Sequence, residues 1–238
     1  MIICGLQKTT LIDYPGKIAC VVFLAVCNFR CPWCYSSELV LPEKIMRQPR
    51  IEEKDFFDFL RERKGLLDGV VICGGEPTVN KDLPQFIGKI KNLGFPVKLD
   101  TNGSNPEMLK DLIDTGLIDY VAMDIKASPI NPIYKEILGE GVKFEDIEKS
   151  VKILKNESAS RRIDFEFRTT AVPEVHTSLD FLEIAKWIGG PNVKYYLQSF
   201  RPEKTIDPEF EKIKPFEDKF LKEIAEQISP SFKLCQLR

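Results

Sequence analysis

Short apolar runs, each about one strand long, alternate with stretches of helical periodicity, and this pattern constrains the chain more than any other feature of its sequence. The first run, Ile18 to Val26, is rich in β-branched residues and almost wholly apolar, as a strand covered on both faces requires. Comparable runs follow at Gly69–Gly75, Val97–Thr101, Asp119–Lys126, Asp164–Val172 and Val193–Phe200. Between them, Leu83, Phe86, Ile87, Ile90 and Leu93 mark one face of a helix, as do Phe144, Ile147, Val151 and Leu154. Leu179, Leu182, Ala185 and Ile188 predict another helix, and Phe216, Phe220, Ile224 and Ile228 a last one. Gly94, Gly116 and Gly189–Gly190 stand where such helices would stop with a left-handed cap.

Repeated strand–helix units predict a parallel sheet with right-handed crossovers. About six units fall short of the eight that close a full barrel. The expected architecture is therefore α/β, an incomplete (βα)6-type TIM barrel: an open parallel sheet with outer helices. A doubly wound sheet is the alternative. No Pro-, Gly- or Ser-rich linker divides the chain, so 1–238 reads as one domain, with 1–17 as an N-terminal extension and 203–238 as a C-terminal loop and helix. The proline-rich segment Ser199 to Pro215 connects the last strand to that helix.

Charge excludes some functions. With 34 Lys and Arg against 36 Asp and Glu in 238 residues, the net charge of −2 gives no general affinity for nucleic acid. No apolar run approaches the roughly 18–20 residues of a membrane span. Met1 to Leu6 lacks a basic stretch leading into an apolar one, so a cytoplasmic protein is expected. Seven cysteines against one histidine, an odd number without a secretion signal, point to a reducing compartment.

Three of those cysteines lie together in Cys27-Asn28-Phe29-Arg30-Cys31-Pro32-Trp33-Cys34. Such a loop after a buried strand can hold a metal centre. Structural zinc would want a fourth ligand from a distance, such as Cys73 or His176. An electron-transfer iron–sulfur cluster would want four cysteines. Three unrelated buried thiols are the bland alternative. A cubane held by three cysteines would instead leave one iron open for a small chelating molecule. Cys4, Cys20 and Cys235 have apolar neighbours and read as small hydrophobes, while Cys73, beside Gly74, reads as packing or as a neighbour of a cofactor. His176, in the loop from Pro173 to Ser178, reads as a surface or capping residue.

Further polar residues stand at the ends of the expected strands. Gly74-Gly75-Glu76-Pro77 closes the second, Asp100-Thr101-Asn102-Gly103 the third, Met123-Asp124-Ile125-Lys126 the fourth, and Arg168-Thr169-Thr170 lies on the fifth. In a parallel barrel the C-terminal strand ends converge, so Asp100, Thr101, Asp124, Lys126 and Arg168 should line one mouth. Taken singly, each could be a solvated loop residue or a helix cap.

The CxxxCxxC loop with an aromatic, Trp33, before its last cysteine resembles the signature of the radical S-adenosylmethionine enzymes. That resemblance implies a 4Fe-4S cluster on Cys27, Cys31 and Cys34. Its open iron would chelate the methionine moiety of S-adenosylmethionine, whose reductive cleavage yields a 5′-deoxyadenosyl radical. It also implies cofactor binding by Trp33, Gly74, Gly75, Glu76, Pro77, Asp100, Thr101, Asn102, Lys126 and Arg168, with Glu76 on the methionine amino group. The Asp-Thr-Asn-Gly and Asp-x-Lys elements are similar to those of glycyl radical enzyme activases. There they imply a monovalent cation at Asp100, Thr101 and Asp124, although these carboxylates could equally pair with Lys126 or Arg168.

The opening Gly5-Leu6-Gln7-Lys8 through Ile12-Asp13-Tyr14-Pro15-Gly16-Lys17, together with Ser199-Phe200-Arg201-Pro202, resembles the activating proteins of anaerobic ribonucleoside-triphosphate reductase. The implied partners are that glycyl radical enzyme and a flavodoxin- or ferredoxin-type reductant. Two residues depart from the pattern: Val26 stands where Gly usually precedes the loop, and Tyr35 where His often follows it. A radical enzyme acting on a small molecule or nucleoside, as in deazapurine synthesis, would share the same cluster motifs. A zinc or electron-transfer module is the non-enzymatic alternative.

Overall fold

The computed structural model describes residues 1–159 and 163–238. Among these residues eight strands form one sheet in the order of the chain: β1 (Ile3–Thr10), β2 (Ala19–Leu24), β3 (Gly69–Gly74), β4 (Val97–Thr101), β5 (Tyr120–Asp124), β6 (Asp164–Ala171), β7 (Gly190–Ser199) and β8 (Phe232–Leu237). From β2 to β8 every neighbouring pair is parallel; β1 alone runs antiparallel, beside β2. The two ends of this order do not pair, so the sheet curls into an open barrel and not a closed ring.

Helices fill the crossovers. After β2 come the short α1 (Ser37–Val40) and α2 (Pro42–Ile45), then α3 (Glu53–Glu62). α4 (Leu83–Asn92) and α5 (Pro106–Asp114) follow β3 and β4. α6 (Ile133–Ile137) and α7 (Phe144–Ala159) lead to β6, α8 (Ser178–Ile188) to β7, and α9 (Asp218–Ile228) to β8. Their apolar stripes bury Phe56, Phe86, Ile87, Leu112, Val151, Ile184 and Leu221 against one face of the strands, where Val22, Ile72, Leu99, Val121 and Phe167 are fully covered. Cys20 belongs to this core, Cys4 packs with Ala25, Leu39 and Ile45, and Cys235 lies against the core from β8, as small apolar side chains do.

The six expected parallel strands appear as β2 to β7. Two more were not expected. β1, within the segment read as an extension, and β8, within the segment read as loop and helix, are edge strands with mixed exposure and lack the continuous apolar run of a doubly covered strand. Gly94 and Gly116 adopt the left-handed conformation expected of caps, with φ of 91° and 67°. Gly189 does not, with φ of −54°. There a Cβ would lie 2.5 Å from the Ala185 carbonyl oxygen, so close backbone approach is the reason for glycine. No helix among the described residues is long and apolar enough to cross a membrane.

Because successive strand residues point to opposite faces, the same alternation that supplies the core also furnishes the concave face. Val97, Leu99, Phe165 and Phe167 go to the helices, while Lys98, Asp100, Glu166 and Arg168 go inward. Along β4 and β6 this concave face is charged, while Val21, Val71 and Tyr120 make an apolar patch on it, and the candidate site stands at its upper rim.

Candidate active site

The cysteine loop leaves β2 through Val26. Its φ of 76° places a β-branched residue in the left-handed region, a true conformational outlier. Both of its backbone groups are pinned: its N–H donates to the Leu39 carbonyl and its own carbonyl accepts from the Glu76 N–H, each at 2.8 Å. This is the position where a glycine was expected. Val26→Gly should therefore raise stability by about 1 kcal/mol, measured by urea denaturation. A destabilised variant would show that the Val26 side chain contributes more than its backbone costs.

Cys31 is 6% exposed, and Cys27 and Cys34 are half-buried beside it. Burial pushes the Cys27 and Cys31 thiols up to about 12, opposed at Cys31 chiefly by the ammonium of Lys126. The Phe29 N–H donates to Cys27 Sγ at 3.4 Å, and the Asn102 amide lies 4.0 Å from the same sulfur. Asn102 also bonds Asn28, whose own amide donates to Ser104 at 2.8 Å. Trp33, expected beside the cofactor, is 4% exposed and packs against Phe210 of the C-terminal segment. Tyr35 is exposed at the mouth, with Asp124, Lys126 and Arg168 in its field.

The Gly-Gly-Glu-Pro element seats the strand beside this loop. A Cβ on Gly74 would lie 2.1 Å from the Leu24 carbonyl oxygen, and one on Gly75 2.1 Å from that of Val26. Both glycines are thus demanded by the backbone that carries the cysteines. Pro77 opens a single helical turn, Pro77–Val79, where a missing N–H costs nothing.

Glu76 is 1% exposed. One of its oxygens accepts from the Thr78 N–H at 3.0 Å, the Thr78 hydroxyl at 2.5 Å and the Thr101 hydroxyl at 2.7 Å. The other accepts from the Asn102 N–H at 2.6 Å. Burial raises its pKa, and these bonds oppose the rise. The carboxylate therefore ties β3 to β4, and Thr101 spends its hydroxyl in the same knot.

Across the rim runs an alternating chain of charge. Lys98, 1% exposed, bonds one oxygen of Asp100; Arg168 bonds the other at 3.0 Å and reaches Asp124 at 2.9 Å; Lys126 bonds Asp124 at 2.9 Å. Burial would raise Asp124, but Arg168 and Lys126 outweigh it and hold the carboxyl at about 2. Asp124 likewise lifts Lys126 against the effect of burial. One layer below, buried Glu166 accepts from the Tyr120 hydroxyl at 2.8 Å and pairs with Arg238 at 2.9 Å, whose guanidinium lies 3.3 Å from the centre of the Tyr196 ring.

Of the residues expected at one mouth, Asp100, Asp124, Lys126 and Arg168 are joined there. Thr101 faces the opposite side of its strand. Lys98 and the Glu166–Arg238 pair were not foreseen. The usable signal was the two-residue spacing of Lys98 to Asp100 and of Glu166 to Arg168, which puts each pair on one face. Cys73 sits on the same concave face, in the field of Asp100 and Arg168.

His176 is buried, not on the surface: it is 3% exposed and stacks on Phe181. Its Nδ1 accepts from the Val172 N–H at 3.1 Å, and its Nε2 lies 3.0 Å from the Lys126 carbonyl, which only an Nε2–H donor satisfies. Burial lowers its pKa below the ordinary value of 6.5. The unfolded chain therefore binds this proton more readily than the folded one. Stability should fall as pH drops through about 6.5, with a slope of at most about 1.4 kcal/mol per pH unit from this group. His176→Gln should flatten that slope in urea midpoints taken between pH 7 and 5.5; an unchanged slope would mean that another group titrates.

With both ring nitrogens spent on backbone, His176 is no zinc ligand. Among the described residues no three Cys, His, Asp or Glu side chains converge as one metal ion requires. The cysteine loop offers a larger centre three thiols on one turn, with the Phe29 N–H donating to Cys27 Sγ and a rim bearing Lys126 beside it.

The Radical SAM superfamily profile matches residues 21–188. A Methanocaldococcus jannaschii protein assigned as a glycyl-radical enzyme activating enzyme is 36% identical over 225 residues, covering 94% of this chain and 90% of its own. The 7-carboxy-7-deazaguanine synthase of Thermococcus kodakarensis is 29% identical over 60% of this chain and 61% of its own. Among solved structures, Streptococcus suis SuiB superposes with a TM-score of 0.65 at 15% identity, over 91% of this chain and 48% of that one. The open parallel barrel, the three-cysteine loop at its rim and the extent of these matches place the chain in the radical SAM superfamily, as an enzyme.

Proposed function

We propose that this chain activates a glycyl radical enzyme by taking a hydrogen atom from a glycine in a partner's backbone. Near-full-length identity of 36% to an assigned activating enzyme is the observation that carries the reading. Cys27, Cys31 and Cys34 would hold a 4Fe-4S cluster, and S-adenosylmethionine would bind between that loop and the charged rim. When bound, these groups supply one electron and a carbon-centred radical able to take a hydrogen atom.

The chain's own residues do the rest. Lys126 and Arg168 offer cations to the cofactor's carboxylate, while Asp124 and Asp100 keep those cations in place. Glu76 holds the backbone of Asn102 against the loop, and His176 fixes the carbonyl of Lys126. The sheet is open between β1 and β8, and an extended peptide segment of the partner would enter from that side. An anaerobic ribonucleotide reductase is the client that the terminal motifs favour, with a flavodoxin or ferredoxin as electron donor.

The test mixes anaerobically reconstituted protein, dithionite and S-adenosylmethionine with candidate glycyl radical partners. A glycyl doublet in the electron paramagnetic resonance spectrum, formed in stoichiometric turnover with 5′-deoxyadenosine, is expected for one of them. Cleavage stimulated only by a pterin or nucleotide, with no doublet on any partner, would replace this reading with small-molecule chemistry.

A further inference from the structure

The residues to which a free monovalent cation would be assigned by resemblance do not fit one in this structure. Thr101 directs its hydroxyl away from the rim, to Glu76, at 2.7 Å. Asp100 has one oxygen on Lys98 and the other on Arg168. Asp124 has one oxygen on Arg168 and the other on Lys126. Each of the four carboxylate oxygens already meets a cationic side chain.

Lys98 is the unusual member. It stands in a strand between Val97 and Leu99, both fully buried, and is itself 1% exposed. Removing an ammonium from water is costly unless a paired anion compensates it. Strand alternation puts Lys98 and Asp100 on one face, and the side chain reaches up to the carboxylate. The next anion in the barrel, Glu166, is matched by Arg238 and does not need Lys98. The rim therefore holds three cations, Lys98, Arg168 and Lys126, against two carboxylates, Asp100 and Asp124. A free cation at Asp100 or Asp124 would have to displace one of these side-chain cations from its carboxylate oxygen.

We infer that the ammonium of Lys98 is a built-in counter-cation, standing where a free monovalent ion would otherwise neutralise Asp100, so that this chain binds S-adenosylmethionine without sodium or potassium. A covalently attached cation carries no translational cost of capture and does not follow the salt composition of the medium. The inference concerns the cofactor site and holds whichever client the enzyme serves.

The test is calorimetric binding of S-adenosylmethionine to the cluster-loaded protein in chloride salts of sodium, potassium or tetramethylammonium at equal ionic strength. For the unmodified protein the three Kd values should agree within about two-fold. A loss of affinity of about ten-fold in tetramethylammonium alone would overturn the inference, and that arm needs no variant.

Lys98→Met keeps an unbranched side chain, one atom shorter, and removes its charge. Its affinity in tetramethylammonium should fall by about five-fold or more and be largely restored by sodium or potassium, as linked ion binding requires. Unaltered affinity in tetramethylammonium, or a loss that neither ion restores, would show that Lys98 does not hold the place of an ion. Sodium-23 line widths give a second readout: broadening on adding Lys98→Met holoprotein, and none above a control protein for the unmodified chain. Broadening by the unmodified chain that S-adenosylmethionine sharpens or deepens would also overturn it.

Discussion

Cys31→Ala should yield a folded, colourless protein with no reductive cleavage of S-adenosylmethionine. Cys31 is the deepest of the three thiols in the loop, and no neighbouring cysteine can replace it: Cys4 and Cys20 lie within packed apolar clusters and Cys73 faces the concave side of β3. Loss of one thiol would leave the proposed cubane with two protein ligands, so brown absorbance and activity should vanish together, the activity by at least about a thousand-fold. The cost in stability should be modest, about 1 kcal/mol, because one sulfur is removed from a loop whose backbone bonds remain. Cys20→Ala supplies the contrast, lowering the unfolding midpoint while keeping the colour. If Cys73→Ala lost the colour and Cys31→Ala kept it, the assignment of ligands would be wrong. Anaerobic reconstitution with iron and sulfide counts decides it.

The second large effect belongs to Glu76. Truncation to Ala leaves the Thr78 and Asn102 N–H groups and the Thr78 and Thr101 hydroxyls without their shared acceptor, in a place water does not reach. Leaving several buried donors unmet should cost about 3–5 kcal/mol, far beyond what a solvent-facing ligand residue would. Affinity for S-adenosylmethionine should fall as well, because Asn102 loses its tether. Glu76→Gln keeps the shape but turns an N–H₂ group toward a donor, and should recover only part of the loss. Urea denaturation separates the two roles: a stability change below about 0.5 kcal/mol would mean that Glu76 serves a ligand and not the fold.

Glu76 also shows where reading the sequence reached its limit. The motif and its place after the second strand were legible, because β3 is covered on both faces and runs out through Gly74 and Gly75. The fate of the carboxylate was not, since its partners Thr101 and Asn102 come from the next strand, 25 and 26 residues on. Five rim residues could be named from the strands alone; the structure joins Asp100, Asp124, Lys126 and Arg168 and turns Thr101 to Glu76. Lys98 escaped because a single charge within an apolar strand looks like an interruption until its face is considered. His176 escaped for the converse reason: a polar residue in a loop reads as exposed, and only the packing of Phe181 and the backbone of Val172 and Lys126 internalise it. The edge strands β1 and β8 were missed because an edge needs only one apolar face.

Strand order follows chain order throughout the sheet, and this dictates a sequence of events during synthesis. Domains grow from the N-terminus as the ribosome delivers them, and each new parallel strand can dock on the one just finished. Every thiol of the cluster loop is made before β3 begins. The Glu76 knot can close once β4 has emerged, whereas the rim stays incomplete until β6 delivers Arg168, and the Glu166 pair waits for the residue that follows β8. A nascent chain halted after β4 thus carries all three thiols but lacks Asp124, Lys126 and Arg168, and lacks the Ile137, Gly139 and Asp207 backbone that holds the loop in the finished fold.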